Sequence, residues 1–172
     1  MIGEIREILY ATDLSPNSAY VFRYALQSAK KHDARLHVLH VIERPLREFL
    51  PLMFPNLDQK QLKKVSEEKR DAEIQRIRAR IQAFSKKEVS LAAETANRVA
   101  SIEVVEGEPA VEILKKAEDL NCDVVIMGTH GKGAVSHAFL GSVAEKVLQR
   151  ITRPVFVIPL PKGKTEVTFD EE

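Results

Sequence analysis

Residues 122–129, Cys-Asp-Val-Val-Ile-Met-Gly-Thr, contain the most continuous apolar strand of the chain. Val124 to Met127 show no alternation with polar residues, so the segment reads as a strand buried on both faces rather than one. Such a strand needs a layer of structure on each side. The remaining chain offers helices at regular intervals. "REILYATD" is a short apolar run ending at Asp13, a first strand. After it, Ser15 suits an N-cap and Pro16 a first helical position. Ala19, Phe22, Ala25, Leu26 and Ala29 then recur at spacings of three and four, predicting a helix with one apolar face. "RLHVLHVIE" alternates as a second strand, and "SIEVVEGEP" gives a third. "PAVEILKKAEDLN" is a helix opening at a proline, "SVAEKVLQRI" a last helix and "RPVFVIPL" a fifth strand. Strands alternating with helices imply parallel β-α-β units, helices on both faces, and an α/β doubly wound sheet.

Two segments depart from that alternation. Residues 44–57, "RPLREFLPLMFPNL", hold three prolines that forbid a long regular element. They are nonetheless too apolar for a solvated loop. They read as a lid on the fold's own helices or as a surface for a protein partner or second copy. From Asp58 to about Lys87, Ile74, Ile77, Ile81 and Phe84 form one apolar stripe, which predicts a long helix packed by that stripe. Its lysines and arginines are interleaved with Glu67, Glu68, Asp71 and Glu73, the pattern of a solvated face. The expected organisation is one domain over 1–161 that includes the 44–90 excursion, with a tail at 162–172.

The formal net charge of +1 gives no electrostatic case for nucleic acid or an anionic membrane. No apolar run is long enough to span a bilayer, and residues 1–7 do not read as a signal peptide. A cytoplasmic protein is expected. The single cysteine, Cys122, excludes an intrachain disulfide and reads as an inert core thiol. His37 and His40 differ in parity on one strand and cannot share a metal, and His130 and His137 lack a third ligand. No metal held by protein side chains alone is expected.

Four of the seven glycines fall in "GTHGKGAVSHAFLGS", between the fourth strand and the last helix. In an open α/β sheet, ligands bind beyond the carboxyl ends of the strands. Gly128 and Gly131 can take positive φ and let backbone approach a ligand. Gly141 and Ser142 open a helix whose first amides favour an anion. A nucleotide polyphosphate fits, with Asp13 sharing the crevice if the first and fourth strands are neighbours. The loop is neither a Walker A sequence nor G-x-G-x-x-G. Two alternatives stand beside this reading. Ser142 with Glu145 could form a capping box, and Asp13 could cap the turn before Ser15.

The spacing Gly128-x2-Gly131-x9-Gly141-Ser142 resembles the ATP-binding branch of the universal stress protein family. "ILYATDLS", "LHVLHVIE", "DVVIMGTHG" and "GSVAEKVLQRITRPVFVIP" are similar to that family's strands and last helix, over about residues 4–160. The resemblance implies a five-stranded, Rossmann-like parallel sheet of order 3-2-1-4-5. It also implies bound ATP, with Mg2+, as a structural or regulatory ligand. Ala11, Thr12 and Asp13 would flank the adenosine, with Asp13 towards the ribose or a nucleotide-bound metal. Val41 would contact adenine, and Met127 and Gly128 would line the floor. Gly131, Gly141, Ser142 and Val143 would hold the phosphates. Ala11 stands where the family often has proline. The resemblance further implies a homodimer formed through the last strand, Pro154 to Pro159. No catalytic residue is legible, so the chain does not read as a dedicated enzyme. Slow ATP hydrolysis and a nucleotide-independent dimeric interaction protein are the alternatives. An adenylating enzyme would need a Ser-Gly-Gly loop after the first strand, and a receiver domain clustered acids there. "ATDLSPNS" offers neither.

Overall fold

The computed structural model describes residues 3–15, 18–43, 50–91, 98–129 and 140–159. Five parallel strands are present: β1 (Glu7–Thr12), β2 (Arg35–Ile42), β3 (Val99–Glu106), β4 (Val124–Gly128) and β5 (Val155–Ile158). They lie in the order β3-β2-β1-β4-β5, as expected. The helices are α1 (Ser18–His32), α2 (Leu50–Met53), α3 (Gln59–Leu91), α4 (Pro109–Asp119) and α5 (Ser142–Arg150).

The period of two along each strand divides the core in two. Ile8 and Tyr10 of β1, Leu36 and Val38 of β2, and Val124 and Ile126 of β4 meet α1 and α3. Leu9, Leu39, Val125 and Met127 point the other way, onto Ala110, Ile113 and Ala117 of α4 and Ala144 and Val147 of α5. The apolar run of β4 is therefore buried on both sides because each face has its own helical layer.

Three aromatic rings tie the first layer together. Tyr10 and Phe22 stand edge to face at 5.7 Å, and Phe22 and Phe84 at 5.4 Å. The long helix is thus anchored where its apolar stripe predicts, with Ile81 and Phe84 buried and Ile74 and Ile77 packed at the margin. Arg23 of α1 adds an ion pair to Glu88, 2.7 Å from Nε to Oε2.

The described part of helix α1 runs from Ser18. Ser15 takes part in a hydrogen-bonded turn before it, and its carbonyl accepts from the Ser18 amide at 2.9 Å and hydroxyl at 2.6 Å. Pro16 lies outside the described residues. Helix α3 runs to Leu91, past Lys87. At about 1.5 Å per residue its 33 residues extend roughly 50 Å, about twice the length of an eight-residue strand. Its amino-terminal part therefore runs beyond the sheet. Of the apolar 44–57 segment, Leu52 and Met53 are exposed, whereas Phe54 lies under Lys69, its ring centroid 4.7 Å from Nζ. Residues 44–49 lie outside the described residues, as do 160–172.

Helices α1 and α4 end in left-handed residues that are not glycine. Asp33 after α1 and Asn121 after α4 take φ of 55° and 47°. The amides that follow, of Ala34 and Cys122, bond back to the carbonyls of Ala29 and Ala117. These are left-handed caps built from the two residue types that tolerate them best after glycine. Cys122 is buried, and its burial pushes the thiol up to about 11, as fits an inert core residue.

Phe84 is the link between α3 and the sheet-facing layer. Phe84→Ala should cost about 3–5 kcal/mol of unfolding free energy in urea titration. A loss below about 1 kcal/mol would mean that α3 is not held by this ring.

Candidate functional site

The carboxyl ends of β1, β2, β3 and β4 share one edge of the sheet, and the amino ends of α4 and α5 return to it. Between them lies a cleft of about 580 Å³, lined by Glu43, the turn from Glu106 to Pro109, Ser142, Val143 and Lys146.

The turn after β1 is heavily determined. His40 Nδ1 lies 2.8 Å from the Thr12 carbonyl; a carbonyl only accepts, so Nδ1 carries the hydrogen. Thr12 Oγ1 accepts from the Leu14 amide at 3.2 Å. Leu14 is buried with φ of 58°, a left-handed conformation that costs a non-glycine residue about 1–2 kcal/mol. Asp13 Oδ1 accepts from the Ser15 amide at 3.1 Å and the Ser15 hydroxyl at 2.8 Å. The turn-capping alternative for Asp13 is therefore real, but it uses one oxygen only. Asp13 Oδ2 is buried and has no hydrogen-bond partner among the described residues. Backbone strain and an orphaned carboxylate oxygen in one turn are features that collect at ligand clamps.

Strands β1 and β4 are neighbours, with Tyr10 opposite Ile126. That places Ala11, Thr12 and Asp13 beside Met127 and Gly128. Past β4, the Thr129 amide bonds to the Ile158 carbonyl at 3.1 Å, and the Thr129 carbonyl accepts from the Gly141 amide at 2.7 Å. Thr129 and Gly141, on either side of residues 130–139, are thus held together. Gly131, with His130, Lys132 and His137, lies outside the described residues. Val41 is half-buried near the end of β2, on the face of the sheet that carries α4 and α5.

The start of α5 differs from the capping-box expectation. Gly141 is the N-cap, and among the described residues no side chain caps this helix. Ser142 is already the first helical residue and exposed, so its hydroxyl is one position too late to cap. Glu145 donates its amide to the Gly141 carbonyl at 2.9 Å. The amides of Ser142, Val143 and Ala144 precede that first helical bond, at the positive end of the helix. Helix α4 is the opposite case. Glu108 Oε2 accepts from the Val111 amide at 2.8 Å and closes that end with a carboxylate. Among the described residues, the α4 end facing the cleft carries a side-chain cap and the α5 end does not.

Glu108 also reaches across the cleft, where Oε1 accepts from Lys146 Nζ at 3.0 Å. Lys146 and the Val111 amide hold the Glu108 carboxyl below the usual carboxylate range. Gly107 closes the turn behind it. A Cβ there would lie 2.7 Å from Glu112 Cγ and displace that side chain. Glu43, Glu106, Glu108 and Lys146 were not among the residues expected from sequence. The available signals were Glu108 directly before the helix-opening Pro109, and Lys146 one helical turn after Ser142. Among the described residues no three His, Cys, Asp or Glu side chains are placed to hold a metal ion, and no helix is long and apolar enough to cross a membrane.

The model of the universal stress protein family matches residues 4–159. A universal stress protein of Methanocaldococcus jannaschii is 30% identical over 157 residues, covering 91% of this chain and 84% of its own. One of Thermus aquaticus is 31% identical over 153 residues, covering 89% and 98%. A second universal stress protein of Methanocaldococcus jannaschii has a solved structure. It superposes with a TM-score of 0.69 at 27% identity, covering 94% of this chain and all of that one.

Because Gly141 and not Ser142 occupies the cap, Ser142→Ala should leave the melting temperature of the ligand-free protein within about 2 °C of the parent. A larger drop would show that the hydroxyl supports the helix after all.

Proposed function

The chain belongs to the universal stress protein family, and from that premise we propose that it binds ATP at this edge of the sheet, as a structural or regulatory ligand. The observation that carries the reading is the start of α5, without a side-chain cap among the described residues and held at the end of β4 by the bond from Gly141 to Thr129. A helix end of this kind takes an anion, whereas the Glu108 carboxylate occupies the other helix end. Phosphates would lie against Gly141, Ser142 and Val143, with Gly131 completing the motif spacing. Ala11, Thr12, Asp13 and Val41 would flank the adenosine, over Met127 and Gly128. The orphaned, buried Oδ2 of Asp13 fits either a ribose hydroxyl or a Mg2+ ion carried by the nucleotide. When bound, Mg2+ would supply charge neutralisation to the phosphates. This chain's own residues bind and orient, and none is placed here as a general base.

The experiment is calorimetric titration with ATP and Mg2+, beside a thermal melt. ATP at a hundredfold excess over its Kd should add about 2.7 kcal/mol of stability and raise the melting temperature by several degrees. Asp13→Asn keeps an oxygen for the Ser15 turn and should weaken ATP about tenfold or more while preserving the fold. No heat and no thermal shift with the unmodified protein would refute ATP binding and favour the nucleotide-independent alternative.

We also propose that β5 pairs with its counterpart in a second copy. It is an edge strand, with Phe156 38% exposed and Pro154 and Pro159 at its ends. Phe156→Lys should convert a dimer to a monomer in light scattering. A monomeric parent protein would end that proposal.

A further inference from the structure

Among the described residues lining the cleft there are one cation, Lys146, and three carboxylates, Glu43, Glu106 and Glu108. Lys146 is not free, because its ammonium is engaged by Glu108 at 3.0 Å, from the opposite wall. The pair is half-exposed on both sides, so as a contribution to stability it is small. Its position is more telling than its energy. Lys146 lies four residues after Ser142, so the two side chains rise from the same face of α5, one turn apart. Both line the same cleft.

The two oxygens of Glu108 have separate partners. Oε2 holds the Val111 amide and Oε1 holds Lys146. If the ammonium leaves, the carboxylate keeps its cap on α4 and its remaining oxygen faces an open cleft. The α4 end therefore does not depend on Lys146. Lys146, in turn, has a long flexible stem and a compact charge suited to a phosphate as much as to a carboxylate.

We propose that Glu108 is a placeholder for the nucleotide's phosphate, and that Lys146 exchanges the carboxylate for the anion when the cleft fills. Lys146 is then a phosphate-binding residue that the glycine motif does not include. The exchange conserves charge pairing, since one ion pair breaks as another forms. It also makes binding selective: an uncharged nucleoside cannot compete for Lys146, whereas each added phosphate strengthens the competition. Glu108 keeps the cation positioned and the cleft closed to weak anions. This inference rests on the ATP-binding reading and adds the residue and exchange by which the site distinguishes phosphorylated ligands.

The test is a titration of ATP, AMP and adenosine into the parent protein, Lys146→Met and Glu108→Gln, with a ligand-free melt of each. Lys146→Met should weaken ATP about tenfold and leave adenosine unchanged. Glu108→Gln retains an oxygen for the Val111 amide but loses the charge that holds Lys146. It should tighten ATP several-fold, again without changing adenosine. Equal ATP affinity in Lys146→Met and parent would overturn the exchange while leaving ATP binding intact. Equal losses for ATP and adenosine would overturn it as well, since a merely structural role predicts that pattern. Should Lys146→Met melt early, Glu108→Gln alone decides, and unchanged or weaker ATP binding there counts against the proposal. If the parent protein binds no ATP, both this inference and the reading beneath it fall.

Discussion

Tyr10 sits at the centre of the sheet with no exposed surface, so its hydroxyl must find an acceptor within the protein. It finds the Ser18 carbonyl at 2.6 Å, in the first turn of α1. Burial pushes the phenol far above its ordinary range, so it acts as a donor throughout the accessible pH range. That one bond ties Ser18 of α1 to the centre of β1, and residues 13–15 fold into a tight turn beside it. Leu14 takes a left-handed conformation, Asp13 folds back on Ser15, and Thr12 receives His40 from the next strand. The ring of Tyr10 meanwhile packs on Phe22, and Phe22 on Phe84, so the same residue that shapes the turn also seats the long helix.

The sheet was legible because its signals are local and repeated. The unbroken apolar run of β4 and the alternation in β2 each demand burial on particular faces, and one parallel topology satisfies them. Helix starts were less legible. Ser15 and Ser142 both look like caps, since serine before an apolar stripe usually is one. At Ser15 the hydroxyl donates to Asp13, and the carbonyl rather than the side chain meets the Ser18 amide. At Ser142 the bond from Gly141 to Thr129 accompanies a glycine in the cap, and a hydroxyl one residue on cannot reach the same amides. A linear pattern does not contain these hydrogen bonds.

The cleft was half legible for a related reason. Among the residues lining it, Ser142 and Val143 were expected, because they close the glycine motif. Glu108 and Lys146 are 38 residues apart in the chain and meet only through the packing of α4 on α5. Their residue types are the commonest on any helix surface, so composition gives them no prominence. The packing of α4 on α5 sets Glu106 and Glu108 on one side of the cleft and the amino end of α5 with Lys146 on the other.

The bond between Gly141 and Thr129 has a thermodynamic consequence for the segment it encloses. Bringing the ends of a chain segment together has an entropic cost that grows only slowly with its length. Here that cost falls on folding, because the two ends are joined whether or not anything lies in the cleft. Thr129 thereby joins three elements at one residue, since its amide bonds to Ile158 of β5 and its carbonyl to Gly141 at the start of α5.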